Sequence, residues 1–213
     1  DIGKSMMANR REDLARLLSP MRLEATPFER AVAIGAAEKR TVSPAAPKSG
    51  PEYTRWMRTI EALLEGLMLL QNGWRRDDPD NLPYFSQPDL RLGLVASSGG
   101  RFTGVSWGNP STKNDKGVAF ARRVDLNGQA TLFGQPTGDG GEFQVDDLWI
   151  LLYNERDGMV FLELSHPMSV SGKKIDTWDE RIIFPAFDLA LDTFSFEEET
   201  EEDEGYGFTV ARR

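Results

Sequence analysis

The first half of the chain carries apolar residues at helical spacing. Between residues 51 and 71, apolar side chains recur every three or four positions, which is the period of one helix face. Asn72-Gly73 is a typical end for such a helix. Shorter helices are predicted within residues 2–19 and over residues 27–39. Residues 1–76 are therefore predicted to form a helical N-terminal region with about three helices.

From Leu90 onward the pattern changes to short apolar runs separated by turn residues, which is typical of strands. Asn127-Gly128 predicts a two-residue hairpin turn, because both residues tolerate positive φ. Residues 73–89 are rich in Asp and Pro and are predicted to be a loop. A β-rich domain is thus predicted over residues 90–196. Its strands are predicted at residues 90–96, 101–107, 117–126, 129–133, 148–153, 159–164 and 182–184.

The order of these elements predicts the fold class. No internal repeat and no alternation of strands with helices is present, which argues against a doubly wound parallel sheet. The prediction is an α+β fold. About three N-terminal helices pack on a largely antiparallel sheet or a partly closed barrel.

The composition excludes several kinds of site. Without cysteine, the chain forms no disulfide, thiolate zinc site or iron–sulfur cluster. A single histidine, His166, excludes a multi-histidine metal site within one chain. No dinucleotide-binding motif is present, and we predict no cofactor. No apolar run is long enough to span a membrane and no secretory signal is recognisable, so a cytoplasmic location is predicted.

Negative charge is concentrated near the end of the chain. The formal net charge is −9, and seven of the eight residues at positions 197–204 are acidic. The remaining residues carry only about two negative charges in excess, by the same count. We predict an acidic loop or tail at residues 197–205 and a terminal strand at residues 206–213.

Residues 101–123 combine positive charge with aromatic rings, five cations standing against the single acid Asp115. On a sheet surface, cations neutralise phosphates and exposed rings stack on unpaired bases. The preferred hypothesis is a non-catalytic recognition domain, part of a larger protein or complex, that binds nucleic acid. The predicted binding residues are Arg101, Trp107, Lys113, Lys116, Arg122 and Arg123.

A second hypothesis is a metal-dependent nuclease or other hydrolase using Asp146, Asp147 and Glu163. Carboxylates on adjacent strands hold a metal that activates water. Their spacing resembles the PD-(D/E)xK nuclease core, although Glu163-Leu164-Ser165 lacks the lysine of that pattern. No other catalytic residue and no resident metal is predicted.

Residues 104–108 match the Gly-x-Ser-x-Gly pattern of the nucleophile elbow in α/β-hydrolases. That motif needs a strand, a sharp turn and a helix. Asn109-Pro110 follows it here and predicts a turn and not a helix, so the favoured interpretation is a strand that ends in a Gly-bounded turn.

A third hypothesis is protein–protein assembly, including a homodimer, through the helix at residues 51–71. It requires the apolar stripe of that helix to remain exposed and dock a partner. The acidic segment would then contact a basic surface. The stripe consists of Trp56, Ile60, Leu63 and Leu67.

Overall fold

The computed structural model describes residues 4–7, 11–78, 82–115, 117–133 and 147–189. The predicted residues Lys116 and Asp146, the acidic segment and the predicted terminal strand lie outside these ranges. The helices are α1 (Arg11–Leu18), α2 (Ala25–Thr41), α3 (Gly50–Leu69) and α4 (Val118–Phe133). The strands are β1 (Lys4–Met7), β2 (Arg75–Asp77), β3 (Tyr84–Gln87), β4 (Leu92–Ser98), β5 (Asp147–Arg156), β6 (Met159–Ser171), β7 (Lys174–Ile183) and β8 (Phe187–Asp188).

The eight strands form one mixed sheet in the order β1-β7-β6-β5-β4-β3-β2, with β8 beside β6. β1 runs parallel to β7 and β4 runs parallel to β5, whereas the other pairs are antiparallel. The α+β class is confirmed. The sheet is mixed and open, not a barrel, because β1 and β2 end the order without pairing to each other.

The three N-terminal helices cover one face of the sheet. Alternate strand residues such as Leu94, Leu151 and Leu164 pack there against α1, α2 and α3. In α3, Ile60, Leu63 and Leu67 are buried in this helix-side core. The apolar stripe that could have docked a partner is therefore the internal packing face of α3, and only Trp56 of that set is partly accessible.

The opposite face carries α4, where the sequence predicted two strands and a hairpin turn. That prediction is wrong. Phe120, Val124 and Asn127 recur at positions i, i+4 and i+7, so they share one helix face directed at the sheet. Asn127 is buried, and its side chain bonds to the backbone of β5 and β6. The polar Asn-Gly pair therefore lies inside a helix and not in a turn.

Two further local predictions need correction. Residues 101–107 form consecutive turns and not a strand, with Gly104 at φ +72°, a conformation that suits glycine. Within the predicted loop at residues 73–89, the short strands β2 and β3 pair with each other and extend the sheet. The predicted strands at residues 148–153 and 159–164 are confirmed as parts of β5 and β6, which form a hairpin that turns at Asp157-Gly158.

Candidate ligand-binding cleft

A cleft lies beside β4, at the point where its pairing with β3 ends. β3 pairs with β4 only as far as Phe85 and Leu94. On that side β4 is next met by a bridge between Gly99 and Thr112. β5 pairs with the opposite edge along the whole of β4, so the change in pairing is confined to the β3 side.

The cleft lies between α3, β4 and the start of α4, and its volume is about 570 Å³. This volume is within the range of small-molecule sites, which combine apolar walls with a few polar groups. Its apolar walls include Tyr53, Trp56, Leu82, Pro83, Val95 and Phe120. Its polar side chains include Ser49, Glu52, Ser98, Lys113 and Asn114.

The polar end of the cleft is built on the first turn of α3. Lys39 of α2 donates a hydrogen bond of 2.7 Å to Glu52 Oε1, and Lys113 Nζ lies 3.6 Å from the same oxygen. Burial on its own raises the pKa of Glu52. The hydrogen bond from Lys39 and the charges of Lys113 and Arg55 outweigh burial, so the pKa lies below its ordinary value. Glu52 is consequently ionised at neutral pH.

The loop that carries Lys113 is fixed to the sheet. The Lys113 backbone N–H donates to Ser98 O at 2.8 Å. Lys174 Nζ of β7 donates to the carbonyls of Thr112 at 3.1 Å and Lys113 at 2.7 Å. The main chain of Lys113 is therefore held at the rim, while its side chain is about half exposed.

Arg55 lies behind the polar end, one helical turn after Glu52. It is only 4% exposed, and its guanidinium stands 5.0 Å from the ring centre of Tyr153. Nη1 lies 3.3 Å from Glu155 Oε2. Nε and Nη2 are buried and have no hydrogen-bond partner among the described residues. Arg55 is thus an incompletely compensated buried cation beside the cleft.

Of the predicted nucleic-acid residues, Arg101 and Trp107 lie on one loop. The Arg101 guanidinium is 4.5 Å from the centre of the Phe102 ring, and Phe102 meets Trp107 edge to face at 5.4 Å. Trp107 is 73% exposed. These three side chains, which we call the Trp107 platform, form a connected cation–aromatic group on the surface.

The other predicted cations contact different elements. Lys113 is at the cleft rim beside Glu52, as described above. Arg123 lies on α4 with its guanidinium 4.8 Å from the ring centre of Tyr84 in β3. Arg122 is exposed on α4. The described contacts therefore link Arg101 to Trp107 but do not link these two to Lys113, Arg122 or Arg123.

A buried ion pair that sequence reasoning missed holds the loop of the platform. Glu163 of β6 and Arg181 of β7 are fully buried, with Arg181 Nη2 2.6 Å from Glu163 Oε2. Glu163 also accepts the Gly104 N–H at 2.8 Å. Arg181 donates to the carbonyls of Val105 and Gly108, each at 3.0 Å. The sequence signal for Glu163 was a carboxylate within the apolar first half of β6. Arg181 gave no such signal, because it is one of five charged residues in β7.

The carboxylates of the nuclease hypothesis are not adjacent in the described part of the chain. Glu163 is bound by Arg181, and it faces Leu152 across the β5–β6 register. Asp147 is five residues before Leu152 on β5, a separation of about 16 Å at 3.3 Å per residue. The described residues contain no group of three histidine or acidic side chains that could hold a metal ion.

Asp147 instead contacts the only histidine of the chain. His166 Nε2 lies 2.6 Å from Asp147 Oδ1, and Nδ1 lies 3.6 Å from Asp179 Oδ2. The imidazole is buried, and it packs against the Trp149 ring at 5.2 Å. Neither the cleft nor the Trp107 platform includes this group.

Comparison with models of known protein families, with characterised proteins and with solved structures gives no match. Among the described helices, none combines the length and the apolar character that crossing a membrane requires.

Proposed function

We propose that this protein is a non-catalytic binding domain whose cleft takes a small ligand with a flat apolar body. One observation carries the proposal. The interrupted pairing of β4 leaves a cavity of about 570 Å³ walled by aromatic and aliphatic side chains. Apolar walls supply affinity, and the few polar groups at one end orient the ligand.

The polar end favours binding over chemistry. Glu52 is the acidic side chain of the lining, and Lys39 and Lys113 both engage it. A carboxylate whose pKa is held low is a poor proton acceptor at neutral pH. Its contacts suit it to position the two lysines, which is a binding role.

The first experiment uses N-phenyl-1-naphthylamine, a neutral apolar dye whose fluorescence increases in an apolar environment. Gly117 lines the cleft, and a Cβ at this residue meets no heavy atom within 4 Å. Gly117→Trp therefore adds an indole to the cleft lining without a clash at the substituted carbon, and we expect this indole to occupy part of the cleft. The matched control is Met68→Trp, which adds the same side chain at an exposed position of α3.

We expect saturable dye binding to the unchanged chain and to Met68→Trp, and at least about tenfold weaker binding to Gly117→Trp, a loss of about 1.4 kcal/mol. Circular dichroism of all three proteins verifies that each is folded. Equal binding to the two tryptophan variants, or no saturable binding at all, would refute the cleft as the binding site.

Recognition of unpaired nucleotides is a second candidate function, favoured by the exposed indole of Trp107 beside Arg101. Stacking of one base on an aromatic side chain contributes about 1–3 kcal/mol. A net charge of −9 opposes binding, so the acids at residues 197–204 are expected to weaken it.

Fluorescence anisotropy with labelled single- and double-stranded DNA and RNA, at low and near-physiological salt, tests this candidate. Trp107→Ala should weaken binding about tenfold, and replacing the seven acids by glutamine should strengthen it. Tyr53→Ala, which removes an exposed ring from α3, is the control. The candidate is rejected if neither the natural chain nor the neutralised chain binds.

A further inference from the structure

We infer that the ligand of the cleft is an amphipathic anion, whose acidic group binds at the rim beside Lys113. This inference rests on the proposed binding function and specifies its ligand class. The evidence is the charge and the accessibility of the side chains at the polar end.

Positive charge exceeds negative charge around this end of the cleft. The pKa of Glu52 is lowered by Lys39, Lys113 and Arg55, so its carboxylate is ionised at neutral pH. Glu52 offsets one of these three cations. Glu155 offsets part of a second, although it is shared between Arg55 and the exposed Arg40. An incoming anion therefore enters a region of net positive potential.

Lys113 is the cation that can contact the ligand directly. Its ammonium group lies 3.6 Å from Glu52, beyond hydrogen-bond distance, and its side chain is 54% exposed. Lys39 makes a 2.7 Å hydrogen bond to Glu52 and is less exposed. An ammonium group has three donors, so Lys113 can bind an anion and still remain near Glu52. Its fixed backbone limits the positions that the ammonium can reach.

Arg55 contributes through its field and not through contact. Its nitrogens Nε and Nη2 are shielded from solvent and lack hydrogen-bond partners in the described part of the chain. The charge is weakly screened because it is buried. Arg55 thereby favours an anion over a cation or a neutral group at the rim.

The apolar walls place a second requirement on the ligand. Tyr53 and Trp56 stand 5.8 Å apart on α3, and Phe120 faces the cleft from α4. A flat or aliphatic body in contact with these rings would direct its acidic group toward the polar end. Aromatic or aliphatic carboxylates, sulfonates and phosphates have this combination, whereas sugars and free inorganic anions lack the apolar part.

A matched pair of dyes separates this inference from the proposed function. N-phenyl-1-naphthylamine is neutral, and 8-anilinonaphthalene-1-sulfonate adds one sulfonate to the same ring system. We expect the sulfonate to bind about tenfold more tightly than the neutral dye at low salt, since it adds a charge-assisted contact with Lys113. Gly117→Trp should weaken both dyes.

Lys113→Gln should weaken binding of the sulfonate and bring the affinities of the two dyes to within about threefold, because the difference in affinity arises from the charge-assisted contact. Arg55→Met should reduce the preference less. The control is Arg16→Gln, which removes one positive charge from α1, outside the cleft. Circular dichroism verifies that every variant is folded.

The outcomes are distinguishable. If neither dye responds to Gly117→Trp, the proposed function fails, and the inference fails with it. If the neutral dye binds the cleft but the sulfonate binds no more tightly, the binding function stands and the anion preference is refuted. A preference that survives Lys113→Gln, or falls equally in Arg16→Gln, overturns the assignment to Lys113.

Discussion

Arg181 is entirely buried, and all three of its side-chain nitrogens have partners. Nε and Nη2 bond to Glu163, while Nη1 and Nη2 also reach the carbonyls of Gly108 and Val105. A buried charge is costly unless it is paired and fully hydrogen-bonded, and this one is. The side chain therefore joins the sheet to the loop that presents Trp107.

Removing Arg181 is predicted to be strongly destabilising. Arg181→Met leaves Glu163 as an unpaired buried charge, for which we expect a loss of about 3–5 kcal/mol in the free energy of unfolding. Urea denaturation measures this loss. Arg122→Met, at an exposed position of α4, is the control and should change stability by less than about 0.5 kcal/mol. A loss below about 1 kcal/mol would show that the pair is not the anchor of the loop.

Gly108 has a steric role in the same loop. A Cβ at this residue would stand 2.4 Å from Cδ1 of Phe102, which is closer than such atoms approach. Gly108→Ala must displace the Phe102 ring, and we expect a loss of about 1–3 kcal/mol in urea denaturation. Gly117→Ala, where a Cβ has open space, serves as the control. Equal stability of the two variants would contradict the packing of Phe102 on Gly108.

The residues of the Trp107 platform show what sequence could and could not reveal. A basic, aromatic stretch was recognisable, and Arg101 and Trp107 do lie together. The role of Glu163 was not recognisable. A carboxylate in an apolar strand has the same pattern whether it binds a metal or an arginine. Its partner is set by the β6–β7 pairing, which places Arg181 opposite Ser165.

At the scale of elements, the largest difference between the sequence prediction and the structure is α4. Residues 117–133 contain valine and phenylalanine together with Asn-Gly, so local chemistry favoured a hairpin. The spacing of Phe120, Val124 and Asn127 equally fits a helix face. Packing decides, because β4 and β5 are adjacent and parallel and so require a crossover connection, which α4 provides.

Asn127 is predicted to be essential for docking this helix. Its Nδ2 donates to the carbonyls of Leu148 and Pro167, and its Oδ1 accepts the Leu148 N–H, all at 2.9 Å. Asn127→Ala leaves these buried groups without their partner, and we expect a loss of about 3 kcal/mol in urea denaturation. If Asn127 lay in an exposed hairpin turn, the same substitution would reduce the free energy of unfolding far less. Asn114→Ala, in an exposed loop, is the matched control.

The cleft could not have been predicted from any single element. Trp56 was identified as part of the apolar stripe on α3, but its partners in the cleft come from β4 and α4. The cleft exists because β3 stops pairing after Leu94, and sequence periodicity does not reveal where a pairing register ends. The hairpin of β5 and β6 was predictable because its turn and both strands are local in sequence.

At the scale of the whole molecule, two tyrosines report on the two faces of the sheet. Tyr84 belongs to the α4-side core and Tyr153 to the helix-side core. Burial raises the pKa of both phenols in the folded protein. In the unfolded chain they ionise near pH 10, so unfolding is favoured increasingly as the pH rises above that value.

We predict that Tyr84 and Tyr153 ionise only when the protein unfolds. Absorbance at 295 nm, which follows tyrosinate, should therefore show a step that coincides with the loss of far-ultraviolet circular dichroism above pH 10. Tyr84→Phe and Tyr153→Phe should each remove part of this step. Both substitutions retain the buried ring and remove only the hydroxyl, so stability at neutral pH should change little.

The number of tyrosine ionisation transitions tests whether the predicted regions of the chain unfold together. The sequence predicted a helical N-terminal region at residues 1–76 and a β-rich domain at residues 90–196. In the structure, β1 pairs with β7, and the N-terminal helices share the helix-side core with the strands. We therefore expect Tyr84 and Tyr153 to ionise in one transition. The helices on the two faces pack on the same sheet, so both faces should unfold together. Two transitions, each abolished by a different Tyr→Phe substitution, would show that the two regions unfold as separate domains.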